Sequence, residues 1–134
     1  MKKLISLAAL FILSVVFSTL SAQTFKGTMT VNDYVRENSE VKVIIKGEKA
    51  NVTIYKTKFS RMMPITVDVN IDNLKATKKD GKIYITGKGI VPTSKGKKYE
   101  KYTVKTFNGV IDNKTFKVNT AFNDKKVTYL GKQK

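Results

Sequence analysis

The chain has no cysteine, no histidine and no tryptophan, and only two prolines among 134 residues. Without cysteine there can be no disulfide, no thiol nucleophile and no thioether lipid anchor. Without histidine the usual general base is gone, and with it the commonest partner of cysteine in transition-metal sites. Acidic residues are also scarce. Ten Asp and Glu face 26 Lys and Arg, a formal net charge of +16. Leucine clusters at the start of the chain; after residue 22 only Leu74 and Leu130 remain.

The N-terminus reads as a signal peptide, residues 1–22. Lys2 and Lys3 are a basic start, Leu4 to Phe17 an apolar run too short for an ordinary membrane span, and Ser18, Thr19, Ser21 and Ala22 small residues before Gln23. Signal peptidase recognises that order, and the expected cut lies between Ala22 and Gln23. The alternative is an uncleaved anchor. Cleavage leaves a single domain, residues 23–134, of 112 residues carrying a formal charge of +14. That length can bury a core without disulfides.

This part of the chain is built for strands. It holds 35 Val, Ile and Thr residues, whose branched side chains suit a pleated surface and lose freedom in helices. Apolar and polar residues alternate repeatedly: Phe25, Gly27, Met29, Val31; Val41, Val43, Ile45; Val52, Ile54; Ile65, Val67, Val69, Ile71; Ile83, Ile85; Tyr102, Val104, Thr106; Phe116, Val118, Thr120, Phe122; Val127, Tyr129. A period of two gives each strand one buried and one wet face. About eight strands are predicted, at 24–34, 40–46, 50–56, 64–77, 82–88, 101–110, 114–122 and 126–130. Asp80-Gly81 is a strong hairpin signal, and Asp112-Asn113 and Asn123-Asp124 are further turns. Short sequential hairpins favour an all-β, antiparallel up-and-down meander closing into a barrel, which removes exposed edges. A two-sheet sandwich is the alternative. An outer-membrane barrel would need an apolar outward face; here the alternating polar set is Thr, Lys, Asn and Asp, so the domain is not expected to span a membrane.

The segments Phe25-Lys26-Gly27-Thr28-Met29-Thr30-Val31, Met63-Pro64-Ile65-Thr66-Val67-Asp68-Val69 and Val127-Thr128-Tyr129-Leu130-Gly131 resemble the calycin-like, lipocalin-shaped β-barrel domains of exported Gram-negative bacterial proteins. The resemblance implies a closed or nearly closed barrel and an exported, periplasmic or extracellular protein. It brings no catalytic residue.

The residues leave little room for catalysis. Asp68 and Asp72 share a strand face but stand roughly 13 Å apart, too far for a glycosidase-like pair. No Gly-rich phosphate loop or nucleophile elbow is present. No enzyme activity, cofactor or metal is expected. In a meander, alternate loops fall at the same end. Loops 47–49, 78–81 and 111–113 share one end; the longer loops 35–39, 57–63 and 89–100 share the other with 123–125. The longer set marks a mouth whose candidate lining is Tyr34, Arg36, Phe59, Arg61, Met62, Met63, Lys95, Lys97, Lys98 and Tyr99. Aromatics, thioethers and cations suit a small apolar ligand with an acidic head group, and Arg36 and Arg61 are the chain's two arginines. The bland alternative is that Phe59, Met62 and Met63 plug the barrel and the lysines are solvated. A second function class is a surface-charge module for an acidic polysaccharide, lipid head group or protein, with affinity that falls as salt rises. A third is an accessory that contacts another exported protein through its loops. Nucleic acid is not expected as a partner, because no basic stripe with ordered aromatics stands out. The protein is expected to be a monomer.

Overall fold

The computed structural model describes residues 20–58, 62 and 64–134. It contains strands β1 (Leu20–Val31), β2 (Tyr34–Lys46), β3 (Lys49–Thr57), β4 (Val67–Lys79), β5 (Lys82–Gly87), β6 (Thr93–Ser94), β7 (Lys97–Lys98), β8 (Val104–Asp112), β9 (Thr115–Phe122) and β10 (Lys125–Gln133). One short 3-10 turn, Glu100–Tyr102, precedes β8. The sheet order is β3-β2-β1-β10-β9-β8-β5-β4-β6-β7, and β3 also pairs with β4. That last pairing closes the eight long strands into an antiparallel barrel and excludes the sandwich. β6 and β7 form a hairpin beside β4, joined by the Asn70–Thr93 pair. Loop 89–100 is therefore partly strand. β1 starts at Leu20, three residues before the expected cleavage point.

The connections divide as a meander requires. The turns at 47–48, 80–81 and 113–114 share one end, and 32–33, 58–66, 88–103 and 123–124 share the other. Loop 35–39 is corrected: the chain turns at Asn32 and Asp33, and 35–39 lies inside β2. A bulge explains why the alternation looked broken there. Gly27 pairs with Ser39 but Met29 with Arg36, so β2 carries one extra residue, and Asn38 takes a φ of 58°. β3 repeats the device at Lys56 (φ 50°), and β4 at Asn73 (φ 63°). β8 shifts phase opposite Ala121 and Phe122. Bulges bend strands and increase twist, which a small closed barrel needs.

Each shift changes which residues point inward. In β4, Val69 and Ile71 are buried before the bulge, then Leu74 and Ala76 after it. In β8, Val104 is buried and then Phe107 and Ile111. The expectation that Thr106 continues the inward set of β8 is thereby corrected: Thr106 is exposed. Ile65 is also corrected; it lies before β4 and is 65% exposed.

The core is the barrel interior. Phe25, Phe107, Phe116, Phe122, Ile71, Leu74 and Ile85 are the largest of its fully buried side chains. The Phe25 and Phe116 rings are 5.1 Å apart, and Phe116 meets Tyr129 edge-on at 6.2 Å. Small residues make room for these rings. Gly27 sits directly opposite Gly131. A Cβ on Gly131 would stand 2.3 Å from the Tyr129 hydroxyl, and one on Gly27 2.0 Å from the Leu130 carbonyl oxygen. Burying each large side chain contributes roughly 1.5–3 kcal/mol.

Candidate functional site

The interior is filled by the protein itself. The described side chains Met29, Val41, Val52, Phe107, Phe116, Thr120 and Tyr129 leave a space of about 10 Å³ between them. That is at most one water molecule's worth of room. A ligand of drug size needs a few hundred cubic ångströms. Phe25, Met29, Phe116 and Phe122 are each 3% exposed or less.

The mouth holds some of the expected residues. Tyr34 pairs with buried Val31, and Arg36 with buried Met29, so both sit on the inward face of β2 near the rim. Directly paired residues of neighbouring strands share a face. The β2–β3 ladder runs only from Val41–Ile54 to Lys46–Lys49. Above it the wall parts, and side chains bridge the gap. Arg36 donates from its guanidinium to the Lys56 carbonyl. The Lys56 amide donates to Asp68 Oδ1 at 2.9 Å, so an arginine and a carboxylate pin the strained bulge. The Tyr129 hydroxyl reaches Ser39 O at 3.0 Å. Burial pushes the Tyr129 phenol far above its ordinary range.

The other mouth candidates lie apart from this pair. Lys95 and Gly96 form the tip of the β6–β7 hairpin with positive φ at both positions. Lys95, Lys97 and Lys98 are exposed on that tip, and Tyr99 is 38% exposed. Met62 is 88% exposed. Phe59, Arg61 and Met63 lie outside the described residues. Tyr99 joins Tyr102, Pro92, Ser94, Val67 and Val69 around an apolar cleft of about 50 Å³. Asn123 fastens the rim beside it: its backbone N–H donates to Thr103 O, and its amide donates to Lys101 O.

The opposite end carries a feature that the sequence reading missed. Two tight hairpins are flanked by lysines, Lys46-Gly47-Glu48-Lys49 and Lys79-Asp80-Gly81-Lys82. A two-residue turn places its flanking residues directly opposite each other. Lys46 pairs with Lys49, Lys49 with Lys75, and Lys79 with Lys82. All five point outward, since their neighbours Ile45, Ala50, Leu74 and Ala76 are buried and Ile83 faces the core. Like charges directly opposite are destabilising by a few tenths of a kcal/mol to about 1 kcal/mol per pair. Of the five, Lys82 alone has an ion pair among the described residues, at 3.7 Å from Asp112. The spacing K-x-x-K around a turn was the available signal.

The row continues around the barrel. Lys75 pairs with Thr86, Thr86 with Asn108, and Asn108 with Asn119. Asn108 and Asn119 lie in a shallow outer groove of about 360 Å³, with Thr106, Asn123 and Lys126 along it. Tyr84 stands beside the row on β5, opposite Thr77 and 37% exposed. At the far margin, Lys134 Nζ contacts Glu40 at 2.6 Å, and that hydrogen bond holds the Glu40 carboxyl below the usual range.

Among the described residues no cluster of three or more Asp or Glu could hold a metal. Among the described residues no helix is long and apolar enough to cross a membrane. Comparison with protein-family models, curated proteins and solved structures found no match.

Proposed function

We propose that the protein is an exported, non-enzymatic β-barrel binding module that holds an acidic partner on its outer surface. The single observation that carries this reading is the contrast between inside and outside. Core side chains crowd the interior, leaving about 10 Å³ between Met29, Phe107, Phe116 and Tyr129, while Lys46, Lys49 and Lys75 stand directly opposite one another on the exterior with no ion pair among the described residues. A fold whose interior is closed to ligands must recognise partners by its surface. Repulsive charge pairs retained on that surface favour a partner that neutralises them. The basic, apolar and small order of residues 1–22 supports export, and the meander barrel is compatible with a calycin-like domain. The test is salt-dependent retention of the full chain on immobilised carboxylated, sulfated and neutral polymers. Retention on the acidic matrices that falls steeply between about 50 and 300 mM salt is expected, because the Debye length shrinks over that range. Equal behaviour on acidic and neutral matrices would reject the reading.

A second reading has its own observation, the cleft between Tyr99, Tyr102 and Pro92. It would take a small apolar group at the mouth, near the lysines of the β6–β7 tip. Its small volume limits it to part of a ligand, such as one ring or one short chain. Native mass spectrometry of the gently purified protein tests it: a persistent extra mass that Tyr99→Ala removes supports it, and a bare protein rejects it.

A further inference from the structure

We propose that the outer row Lys46, Lys49, Lys75, Thr86, Asn108 and Asn119 is a binding track for a linear carboxylated polysaccharide. This deepens the surface-binding reading and rests on it. The row crosses six consecutive strands, β2, β3, β4, β5, β8 and β9, each residue directly opposite the next. Strands stand about 4.8 Å apart, so the track runs roughly 24 Å around the barrel. One contact per strand is a spacing comparable to the length of a sugar unit.

The chemistry changes along the track in the way such a chain would use. Three cations stand at one end. Lysine is a flexible point charge, suited to carboxylates that arrive singly and in variable orientation, whereas arginine favours planar two-pronged pairing. A hydroxyl and two amides follow, which can donate to and accept from sugar hydroxyls. The two asparagines lie in the shallow groove of about 360 Å³, whose far side carries Asp124 between Asn123 and the lysines Lys125 and Lys126. Tyr84 flanks the track one step along β5 and offers a flat ring to the C–H face of a sugar.

The facing of the track depends on a bulge. A regular β4 with Val69 and Ile71 inward would also turn Lys75 inward. The extra residue at Asn73, held by Asn51 Oδ1 at 3.1 Å from the Asn73 amide, reverses the phase and sets Lys75 beside Lys49. Bulges re-aim side chains at functional surfaces. Glu48, Asp72, Asp80 and Asp112 are the carboxylates of this end, and none forms an ion pair with Lys46, Lys49 or Lys75 among the described residues.

Other polyanions fit less well. A lipid surface calls for apolar side chains beside the cations, and exposed Met62 and Ile65 belong to the β3–β4 connection at the opposite end. Single-stranded nucleic acid calls for successive stacking aromatics, and among the described residues Tyr84 alone stands beside the row.

The test is the affinity of the full chain for polygalacturonate, measured by titration calorimetry at two salt concentrations. Three variants are compared with the wild type: Lys46→Gln/Lys49→Gln/Lys75→Gln, Asn108→Ala/Asn119→Ala, and the charge-matched control Lys26→Gln/Lys88→Gln/Lys132→Gln. The track triple is expected to lose about tenfold in affinity and most of the salt dependence, and the control about twofold. The asparagine pair is expected to lose affinity with an unchanged salt slope. The track triple should melt no lower than the wild type, since repulsion is removed, so a binding loss cannot be assigned to unfolding. Equal losses in both triples overturn the track while leaving surface binding intact. A silent asparagine pair, or tighter binding to an oligothymidine or to phosphatidylglycerol vesicles at the same salt, overturns the polysaccharide. A wild type that binds no polyanion at all overturns the surface reading with it.

Discussion

Truncating Phe116 separates a filled barrel from a ligand cavity. Its ring is fully buried, packs 5.1 Å from Phe25 and 6.2 Å from Tyr129, and covers Gly109, which has no side chain to take its place. Around Phe116 its strand is laddered to both β8 and β10, with the one register shift lying further on at Ala121 and Phe122, so the wall cannot collapse far. Phe116→Ala should therefore cost about 4 kcal/mol, within the 3–5 kcal/mol usual for Phe→Ala in a rigid core. Domains of this size have roughly 5–15 kcal/mol in total, so the variant should still fold. At about 4 °C per kcal/mol, its melting midpoint should fall by roughly 15 °C. The new apolar void should accept benzene. Benzene at ten times its dissociation constant would return about 1.4 kcal/mol, or roughly 5 °C. Melting followed by circular dichroism, with and without benzene, reads both effects. The wild type should not shift. A loss below about 1.5 kcal/mol, or a benzene shift in the wild type, would refute the filled interior.

Gly27→Ala should cost about 3 kcal/mol in urea unfolding, because its Cβ would meet the Leu130 backbone and neither strand can yield; Gly47→Ala, with open space around it, should cost about 1 kcal/mol from its positive φ alone. Lys56→Gly should leave stability unchanged or raise it by up to about 1 kcal/mol, since relief of a left-handed conformation outweighs the flexibility gained by the unfolded chain. The Tyr129 phenol has a raised folded-state pKa, so the unfolded chain ionises first and favours unfolding as pH rises. Its contribution is intact below about pH 10 and should fall by up to about 1.4 kcal/mol per pH unit above it; Tyr129→Phe should flatten that alkaline decline in urea midpoints, and an unaltered decline would remove Tyr129 as its source.

Much of the fold was legible because one physical signal dominates it. In β2, β9 and β10, period-two alternation named the buried set correctly, as in Val41, Val43 and Ile45 or Phe116, Val118, Thr120 and Phe122. Turn chemistry at Asp80-Gly81 and Asn123-Asp124 placed hairpins where they occur. The ends of the barrel followed from strand count alone. Alternation could not disclose where a strand carries an extra residue. Arg36, Glu37, Asn38 and Ser39 read as a polar loop because the bulge interrupts the pattern there, so Arg36 falls in an expected loop and Tyr34 at the end of the preceding strand, instead of both lying on the inward face of β2.

The same phase shifts decide where the surface chemistry lies. By sequence position Lys75 continues the inward parity of Val69 and Ile71; only the Asn73 bulge makes it an outward neighbour of Lys49. Lys46 and Lys49 were readable as an opposed pair from the turn between them, but their third partner depends on a register set by two strands together. A charge count therefore gave a strongly basic protein with lysines spread over every strand, and could not distinguish diffuse solubilising charge from an ordered row. Ladder register adds the order: it lines up Lys46, Lys49 and Lys75 across three adjacent strands, and elsewhere among the described residues it sets lysines opposite each other only in single pairs, Lys79 with Lys82 and Lys26 with Lys132. A chain selected only for solubility has no reason to stack three cations across adjacent strands, where each pair opposes folding. Under the proposed surface-binding function, a compensating polyanion would supply such a reason and would convert the repulsion into a gain realised on binding.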